Sequence, residues 1–336
     1  MMGVSPDESR ESQEEGKINH RCLVAVLTVI AVVAVTPIFA AAQSANTTTT
    51  PRTPWGQPDL QGVWNFAILT PMERPAEFAG KETLTDEDVA NIVARSAELT
   101  QLLSERGTGE PTGTYDEFWF DFGTDVSADR RTSLVVDPPD GRIPPLTPAA
   151  QERRSARRAY LGDHPADSWE DRSIAERCIL GFNTGPPMAP SAYNNVFQLF
   201  QTPDYVVILN EMVHDARIVP LDGSAHLPQQ MRQWHGDARG RWDGDTLVVE
   251  TVNFTDKTSF RGSTDSLHLV ERFTRADADT LLYEFTVTDP RAFTLPWTAL
   301  VPMNISSDRT YEYACHEGNY GMEGILAGTR AEEKGR

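Results

Sequence analysis

Apolar and polar residues alternate along the C-terminal half of the chain in a series of short runs. Eight such runs follow residue 194, and turn-forming residues separate most of them. A period of two is typical of a strand with one buried face, and short strands in succession predict an antiparallel meander. Closing the meander into a barrel removes exposed edges, so we expect a barrel, although an open sandwich fits the same pattern. The runs are VFQLFQ, DYVVILNEM, ARIVPLDG, DTLVVETVNF, LHLVERFTR, TLLYEFTVTD, WTALVPMN and TYEYACH.

Helical spacing replaces this alternation between about residues 70 and 180. The stretch LTDEDVANIVARSAELTQLLSERG carries apolar residues three and four positions apart and predicts a helix over 83–106. A second helix is predicted over 147–161 and a short third helix over 168–177. The fold is therefore predicted to be mainly β, with a helical insertion at about 70–180 that forms either a lid or a separate subdomain.

The N-terminus carries an apolar, uncharged segment, Cys22 to Ala42, preceded by two basic residues. A basic flank, an apolar core and small residues at a cleavage site predict that residues 1–42 are a signal peptide. An uncleaved membrane anchor is the alternative, because about 20 apolar residues can span a bilayer. A flexible Thr-rich linker over 43–54 and a single domain over 55–336 follow. We therefore expect a secreted or periplasmic protein, with no stable membrane insertion after signal cleavage.

The chain is strongly acidic, with a formal net charge of -19 at pH 7. The predicted signal holds five acids and three bases, so the mature chain carries -17. This charge repels nucleic acid, and no nucleic-acid partner is expected. Cys178 and Cys315 are the two cysteines outside the predicted signal. Because the expected compartment permits disulfides, we predict that they are bonded to each other.

The stretch LQGVWNF places Gly62 two residues before Trp64. It resembles the Gly-x-Trp that opens lipocalin-type barrels, in which the Trp closes one end of the barrel. This resemblance implies a lipocalin-like barrel, although simple lipocalins lack the long helical insertion. We expect the strand at 61–67 to pair with the last strand. The motifs VHDARIVPLDG, GRWDGDTLVVET and YACHEGNYGM resemble a family of uncharacterised secreted proteins from soil bacteria, which implies export and no particular activity.

Two neighbouring runs, 267–275 and 280–288, place one carboxylate on an apolar face. A three-residue loop at 277–279 puts odd-numbered residues opposite odd-numbered ones, which makes one face apolar and the other polar. Glu271 then lies on the buried face beside Tyr283 and Phe285. A buried Glu is costly unless it is paired or stays protonated with a raised pKa. Two interpretations stay open: a catalytic acid or base, and a structural ion pair with an inward Arg.

His214 and His316 are further candidates for chemistry. Each adjoins an acid, Asp215 or Glu317, but neighbouring residues in a strand face apart, so neither pair is expected to bind a metal. Asp215 and Arg217 share a face and are predicted to form an ion pair, which leaves His214 to face the cavity. The chain has no zincin spacing, P-loop, Rossmann pattern or nucleophile elbow, so we predict no metal and no cofactor.

The remaining polar residues suit proton transfer without a cofactor. We expect an exported acid–base enzyme of the isomerase, lyase or hydratase type, acting on a small apolar or polyhydroxylated molecule. The alternative is a non-catalytic small-ligand-binding protein of the cell envelope. No pattern in the chain indicates the oligomeric state. The predicted catalytic residues are Glu271, His214 and His316, and the predicted substrate-binding residues are Tyr283, Arg217, Tyr320, Asn319 and Glu317.

Overall fold

Ten β-strands form the framework of the computed structural model, which describes residues 50–107, 120–258 and 260–335. The mainly β fold class predicted from the alternation is confirmed. The strands are β1 (Gly62–Asn65), β2 (Val135–Asp137), β3 (Val196–Gln201), β4 (Tyr205–Asn210), β5 (Ala216–Pro220), β6 (Asp237–Asp243), β7 (Thr246–Val252), β8 (His268–Arg275), β9 (Thr280–Thr288) and β10 (Trp297–Ile305).

Nine of the strands wrap into a nearly closed antiparallel barrel in the order β5-β4-β3-β1-β10-β9-β8-β7-β6. Because each neighbouring pair is antiparallel and the number of strands is odd, the two outermost strands, β5 and β6, run in the same direction. They approach closely at Gly240 of β6, where a Cβ would lie 2.5 Å from Leu221 Cδ2 and 2.9 Å from Val219 Cγ1. A glycine at this position therefore lets the two edges of the sheet come together.

The strand β10 is shared between several partners. One edge pairs with β9, and the other pairs with β1 near Ile305 and with β2 near Thr298. The segment 61–67 thus supplies a strand that pairs with β10, whereas the last predicted strand, TYEYACH, does not form. The gap in the barrel lies elsewhere, between β5 and β6.

The register of β8 and β9 agrees with the register predicted from the hydrophobic pattern. Glu271 lies opposite Phe285, and Phe273 lies opposite Tyr283. The odd-numbered residues of both strands are buried, apart from Arg275 at the end of β8, while the even-numbered ones are partly exposed. A shift by one residue would exchange the two faces, so burial of the apolar face fixes this pairing.

The chain between β1 and β3 leaves and re-enters the barrel at one end. Asn65 at the end of β1 lies opposite Val196 at the start of β3. We call this the insertion end. Leu134, Val135 and Met188 of the intervening chain belong to the buried core of the barrel. These residues of the insertion therefore pack into the core of the barrel.

Helices account for a small part of the fold. The first two predicted helices are present, and Thr147 caps the second by accepting a hydrogen bond from Ala150 N. The third prediction is mostly wrong, because only a short 3-10 helix, Trp169–Asp171, forms within 168–177. None of the helices in the described ranges is long and apolar enough to cross a membrane. The α-helices are α1 (Asp86–Gly107), α2 (Pro148–Asp163) and α3 (Tyr320–Gly335).

The C-terminal segment TYEYACH is not a strand, contrary to prediction. It is irregular chain held by two long-range contacts. Cys315 forms a disulfide with Cys178, with their Cα atoms 5.7 Å apart, and the backbone N–H of Tyr311 donates to Glu211 Oε2 at 3.1 Å. The predicted disulfide is therefore present, but it anchors a loop and not a strand.

Trp64 packs against the chain segment that precedes β1. Its side chain is fully buried, and its indole N–H donates to Leu60 O at 2.9 Å. The guanidinium of Arg275 lies 5.4 Å from the centre of its ring. The chain before β1 also packs here, since Arg52 pairs with Asp245 at 2.7 Å. Packed chain thus begins within the predicted linker 43–54, whose first residues lie outside the described part.

Candidate functional site

Three polar side chains meet inside the barrel. Arg217 of β5 donates to both oxygens of Glu271 of β8, at 3.0 and 2.5 Å. Tyr283 of β9 donates its hydroxyl hydrogen to Glu271 Oε1 at 2.7 Å and accepts from Met188 N at 3.0 Å. Glu271 and Tyr283 are fully buried and Arg217 is 4% exposed. The network therefore links β5 to the opposite strands and links the insertion to the barrel.

The electrostatics of this network favour a structural role. Burial lowers the pKa of Arg217, but the adjacent Glu271 carboxylate raises it more, so the pKa lies above its ordinary value. Burial and the same carboxylate raise the pKa of Tyr283 well above its usual value. Arg217 thus stays charged and Tyr283 stays protonated near neutral pH. Both oxygens of Glu271 are paired and sealed from solvent, which fits the ion-pair interpretation and leaves no oxygen for a substrate.

The predicted ion pair between Asp215 and Arg217 is wrong. Arg217 points inward with the buried residues of β5, whereas Asp215 precedes this strand. Asp215 Oδ2 instead lies 2.8 Å from Nε2 of His235. The two side chains are 19% and 26% exposed, so the pair is partly buried. A carboxylate that holds one imidazole nitrogen leaves the other available as a base, which is the arrangement of many acid–base dyads.

The predicted catalytic histidines do not join Glu271. His214 is exposed, and its Nδ1 lies 3.1 Å from Tyr313 O. A carbonyl can only accept, so this nitrogen carries the proton in the neutral ring. His316 is exposed in the C-terminal segment, whereas Glu271 is sealed inside the barrel. The grouping of Glu271, His214 and His316 is therefore not formed.

The turn between β4 and β5 has an unusual backbone. Val213 and His214 adopt positive φ angles of 64° and 46°, which are costly for side chains with a Cβ and most costly for β-branched ones. Cys178 and Asn194, at φ 55° and 52°, share this conformation. They lie nearby, because Cys178 packs against Val213 and Asn194 donates to Glu211 Oε1 at 2.6 Å. Four of the seven non-glycine residues with positive φ in the described chain therefore lie around one place on the insertion end.

A cleft of about 460 Å³ opens at this place, and we call it the disulfide cleft. Asn319 lies at its polar side and donates to Glu176 O at 2.9 Å. The apolar and aromatic lining residues outnumber the polar ones, although polar and apolar atoms contribute about equally to the wall, and Phe182 is 52% exposed. This lining consists of Phe182, Tyr193, Met212, Val213, Tyr313 and Cys315, with several smaller residues.

The predicted substrate-binding residues are scattered over three places. Asn319 lines the disulfide cleft, whereas Arg217 and Tyr283 lie inside the barrel. Tyr320, 77% exposed at the start of α3, and the exposed Glu317 do not line that cleft. Within the described chain, no group of three or more His, Cys, Asp or Glu side chains is arranged to hold a metal ion.

Sequence reasoning missed several residues of this region. His235 stands 20 positions from Asp215 and belongs to no local motif. Phe182 and Met212 read as ordinary core residues, and Glu211 gives no sign that it binds both Asn194 and the C-terminal segment. In the sequence, only the long apolar run before His214 marks this turn. The run does not reveal the backbone conformation of the turn.

Comparison with known proteins finds no relative: the chain matches no family model, no curated protein and no solved structure. Its function therefore has to be inferred from the geometry of its own residues, because a barrel fold alone is compatible with many functions.

Proposed function

We propose that this chain is an exported β-barrel protein that binds a small, planar and mostly apolar molecule in the disulfide cleft. The observation that carries the proposal is the coincidence of this cleft with four strained, non-glycine positions: Cys178, Asn194, Val213 and His214. Strained backbone persists only where the surrounding structure holds it, and it is concentrated at binding and catalytic sites. The disulfide beside the cleft is compatible with an oxidising compartment.

The lining of the cleft supports this class of ligand. Most of its lining residues are aromatic or apolar, and polar atoms interspersed among them can fix an orientation. Phe182 and Tyr193 stand edge to face, with ring centres 5.2 Å apart. Such a pair offers a flat ring a stacking surface. Asn319 is held at the wall of the cleft by its hydrogen bond to Glu176 O, which gives the ligand a fixed polar edge.

Titration with indole tests the proposal, because indole is small, planar and neutral. Ligand-observed saturation-transfer NMR should detect binding to the mature protein. Phe182→Ala should weaken it roughly two- to tenfold, the worth of one aromatic contact. Phe200→Ala, which removes a 41% exposed aromatic from the outer face of β3, should leave it unchanged. Equal affinities for all three proteins, or no saturable binding, would refute the disulfide cleft as the site.

Acid–base catalysis without a cofactor, of the isomerase, lyase or hydratase type, is a second candidate function. The observation that favours it is the partly buried Asp215–His235 pair. Asp215 of this pair directly follows the strained turn in sequence. His235 would act as the base and Asp215 would orient it. Glu271 is not part of this candidate site, because Arg217 and Tyr283 occupy its oxygens.

Incubation with pooled small metabolites, followed by mass spectrometry, tests this candidate function. A component should disappear with wild type and survive with His235→Gln. His268→Gln is the control, because His268 also pairs with a carboxylate, that of Glu250 at 2.6 Å, but on the outer face of the barrel. Consumption that continues with His235→Gln would exclude this histidine as the base.

A further inference from the structure

A second cleft lies beside the first on the insertion end of the barrel. It has a volume of about 790 Å³ and is lined by α2, by the segment 165–177 and by Asp256 and Lys257. We call it the arginine cleft. Its lining holds four cations, in a chain whose overall charge is strongly negative. The cations are Arg157, Arg172, Arg177 and Lys257.

Three of these four cations are neutralised within the cleft itself. Each stands beside one carboxylate of the same lining, so its charge is already used. In the part of the chain that the structure describes, Arg177 has no carboxylate within ion-pair distance and no side-chain hydrogen bond. The three pairs are Arg157 with Asp171 at 3.7 Å, Lys257 with Glu170 at 2.7 Å, and Arg172 with Glu176.

Arg177 is held in place by aromatic contacts. Its guanidinium lies 4.4 Å from the centre of the Trp169 ring and 6.0 Å from that of Trp234. A guanidinium that lies over an aromatic ring uses none of its N–H groups on a charged partner, so they stay free to donate to an anion. These donors match the two oxygens of a carboxylate. An arginine fixed by aromatic rings and without a carboxylate partner is therefore prepared for a planar anion.

We propose that Arg177 binds the carboxylate of a small organic acid, whose apolar part contacts Leu161, Pro165 and Ile174 of the same cleft. A doubly charged phosphate is disfavoured, because four carboxylates also line the cleft and would repel it. The proposal stands whether or not the disulfide cleft binds indole, since the two clefts share only Glu176 among their lining residues.

Calorimetric titration with benzoate tests the proposal. Benzoate should bind saturably, and benzyl alcohol, its neutral counterpart, should bind much more weakly. Arg177→Gln should weaken benzoate binding roughly ten- to hundredfold, the range expected for a lost charge-assisted contact. Arg177→Lys keeps the charge and loses the fork, and it should show an intermediate loss. Arg241→Gln, which removes an exposed arginine of β6, should bind benzoate like wild type.

Several results would overturn the proposal. One is that benzoate binds wild type and Arg177→Gln equally. Others are that the wild-type protein binds benzyl alcohol as tightly as benzoate, or inorganic phosphate more tightly than benzoate. An absence of saturable benzoate binding in the folded wild-type protein would overturn it as well. Asp256→Asn adds a test in which the expected result is tighter binding of benzoate. It removes a nearby exposed negative charge, so it should tighten benzoate binding roughly two- to threefold at low salt.

Discussion

Replacing Arg217 with Met tests whether the buried network stabilises the barrel. Arg217 donates two of the hydrogen bonds that Glu271 receives, and the paired side chains are 3% and 0% exposed. Arg217→Met leaves the Glu271 carboxylate in an apolar interior with the Tyr283 hydroxyl as its remaining donor. Removing one partner of a buried ion pair costs about 3–5 kcal/mol, and we expect a loss of this size in the free energy of unfolding.

The double variant Arg217→Met with Glu271→Met separates a lost contact from a stranded charge. Both charges are removed and apolar side chains fill the space. The effect of such a replacement on the free energy of unfolding ranges from neutral to stabilising in buried ion pairs. The Tyr283 hydroxyl loses its acceptor but still accepts from Met188 N, a cost of about 1 kcal/mol. We therefore expect the double variant to lie within about 2 kcal/mol of wild type.

Urea unfolding with the disulfide intact, followed by circular dichroism, measures these free energies. The comparison requires an unchanged dependence on urea concentration, which reports equal exposure of surface on unfolding. If Arg217→Met lowers the free energy of unfolding by less than about 1 kcal/mol, the loss is only that of an exposed ion pair, and a stabilising role of the buried network is refuted. A double variant as unstable as the sum of the two single variants would exclude a stranded charge as the cause of the loss.

Four further predictions concern stability. Reducing the Cys178–Cys315 bond, which closes 137 residues, should lower the free energy of unfolding by up to about 5 kcal/mol, seen in urea with and without reductant. Because the pKa of Tyr283 is raised, the stabilisation from this residue is complete below about pH 10 and is lost above it. In an ultraviolet pH titration, the phenolate signal of Tyr283 should therefore appear only when the protein unfolds, and Tyr283→Phe should lack this signal. Burial raises the pKa of Asp237, but hydrogen bonds from a backbone N–H, a histidine and an arginine lower it overall. This stabilisation is present above about pH 4 and lost below it, and Asp237→Asn should flatten the acid side of the stability–pH curve. His214→Gly should have a higher thermal midpoint than His214→Ala, because both lose the contact with Tyr313 O and only glycine relieves roughly 1 kcal/mol of strain; an equal or lower midpoint would contradict strain at this turn.

The barrel could be predicted from the sequence because its signal is local. Alternation in β8 and β9, with a loop at 277–279, determined the register and placed Glu271 on the buried face. Its partner could not be predicted in the same way. Arg217 reaches Glu271 across 54 positions of sequence, and the contact depends on how the sheet curves. The sequence therefore allowed two roles for Glu271, and only the closed barrel distinguishes them.

The insertion end was predicted less well, because long-range contacts determine it. The segment 310–316 is rich in β-forming residues, but a disulfide and the bond from Tyr311 N to Glu211 hold it as a loop. The helix α3 was missed because glycines, which are poor helix formers, occur at four of its positions. His235 meets Asp215 because the loop before β6 returns to the start of β5. The periodicity of apolar residues cannot predict a contact of this kind between distant segments.

The central claim is that the disulfide cleft binds a small planar molecule. Amide chemical-shift mapping of indole on isotope-labelled protein tests it most directly. The account predicts saturable shifts concentrated at Phe182, Val213 and Asn319, with little change at the interior strands β8 and β9. Shifts centred on the interior strands or on the outer face of β3, with the disulfide cleft unaffected, would contradict the claim.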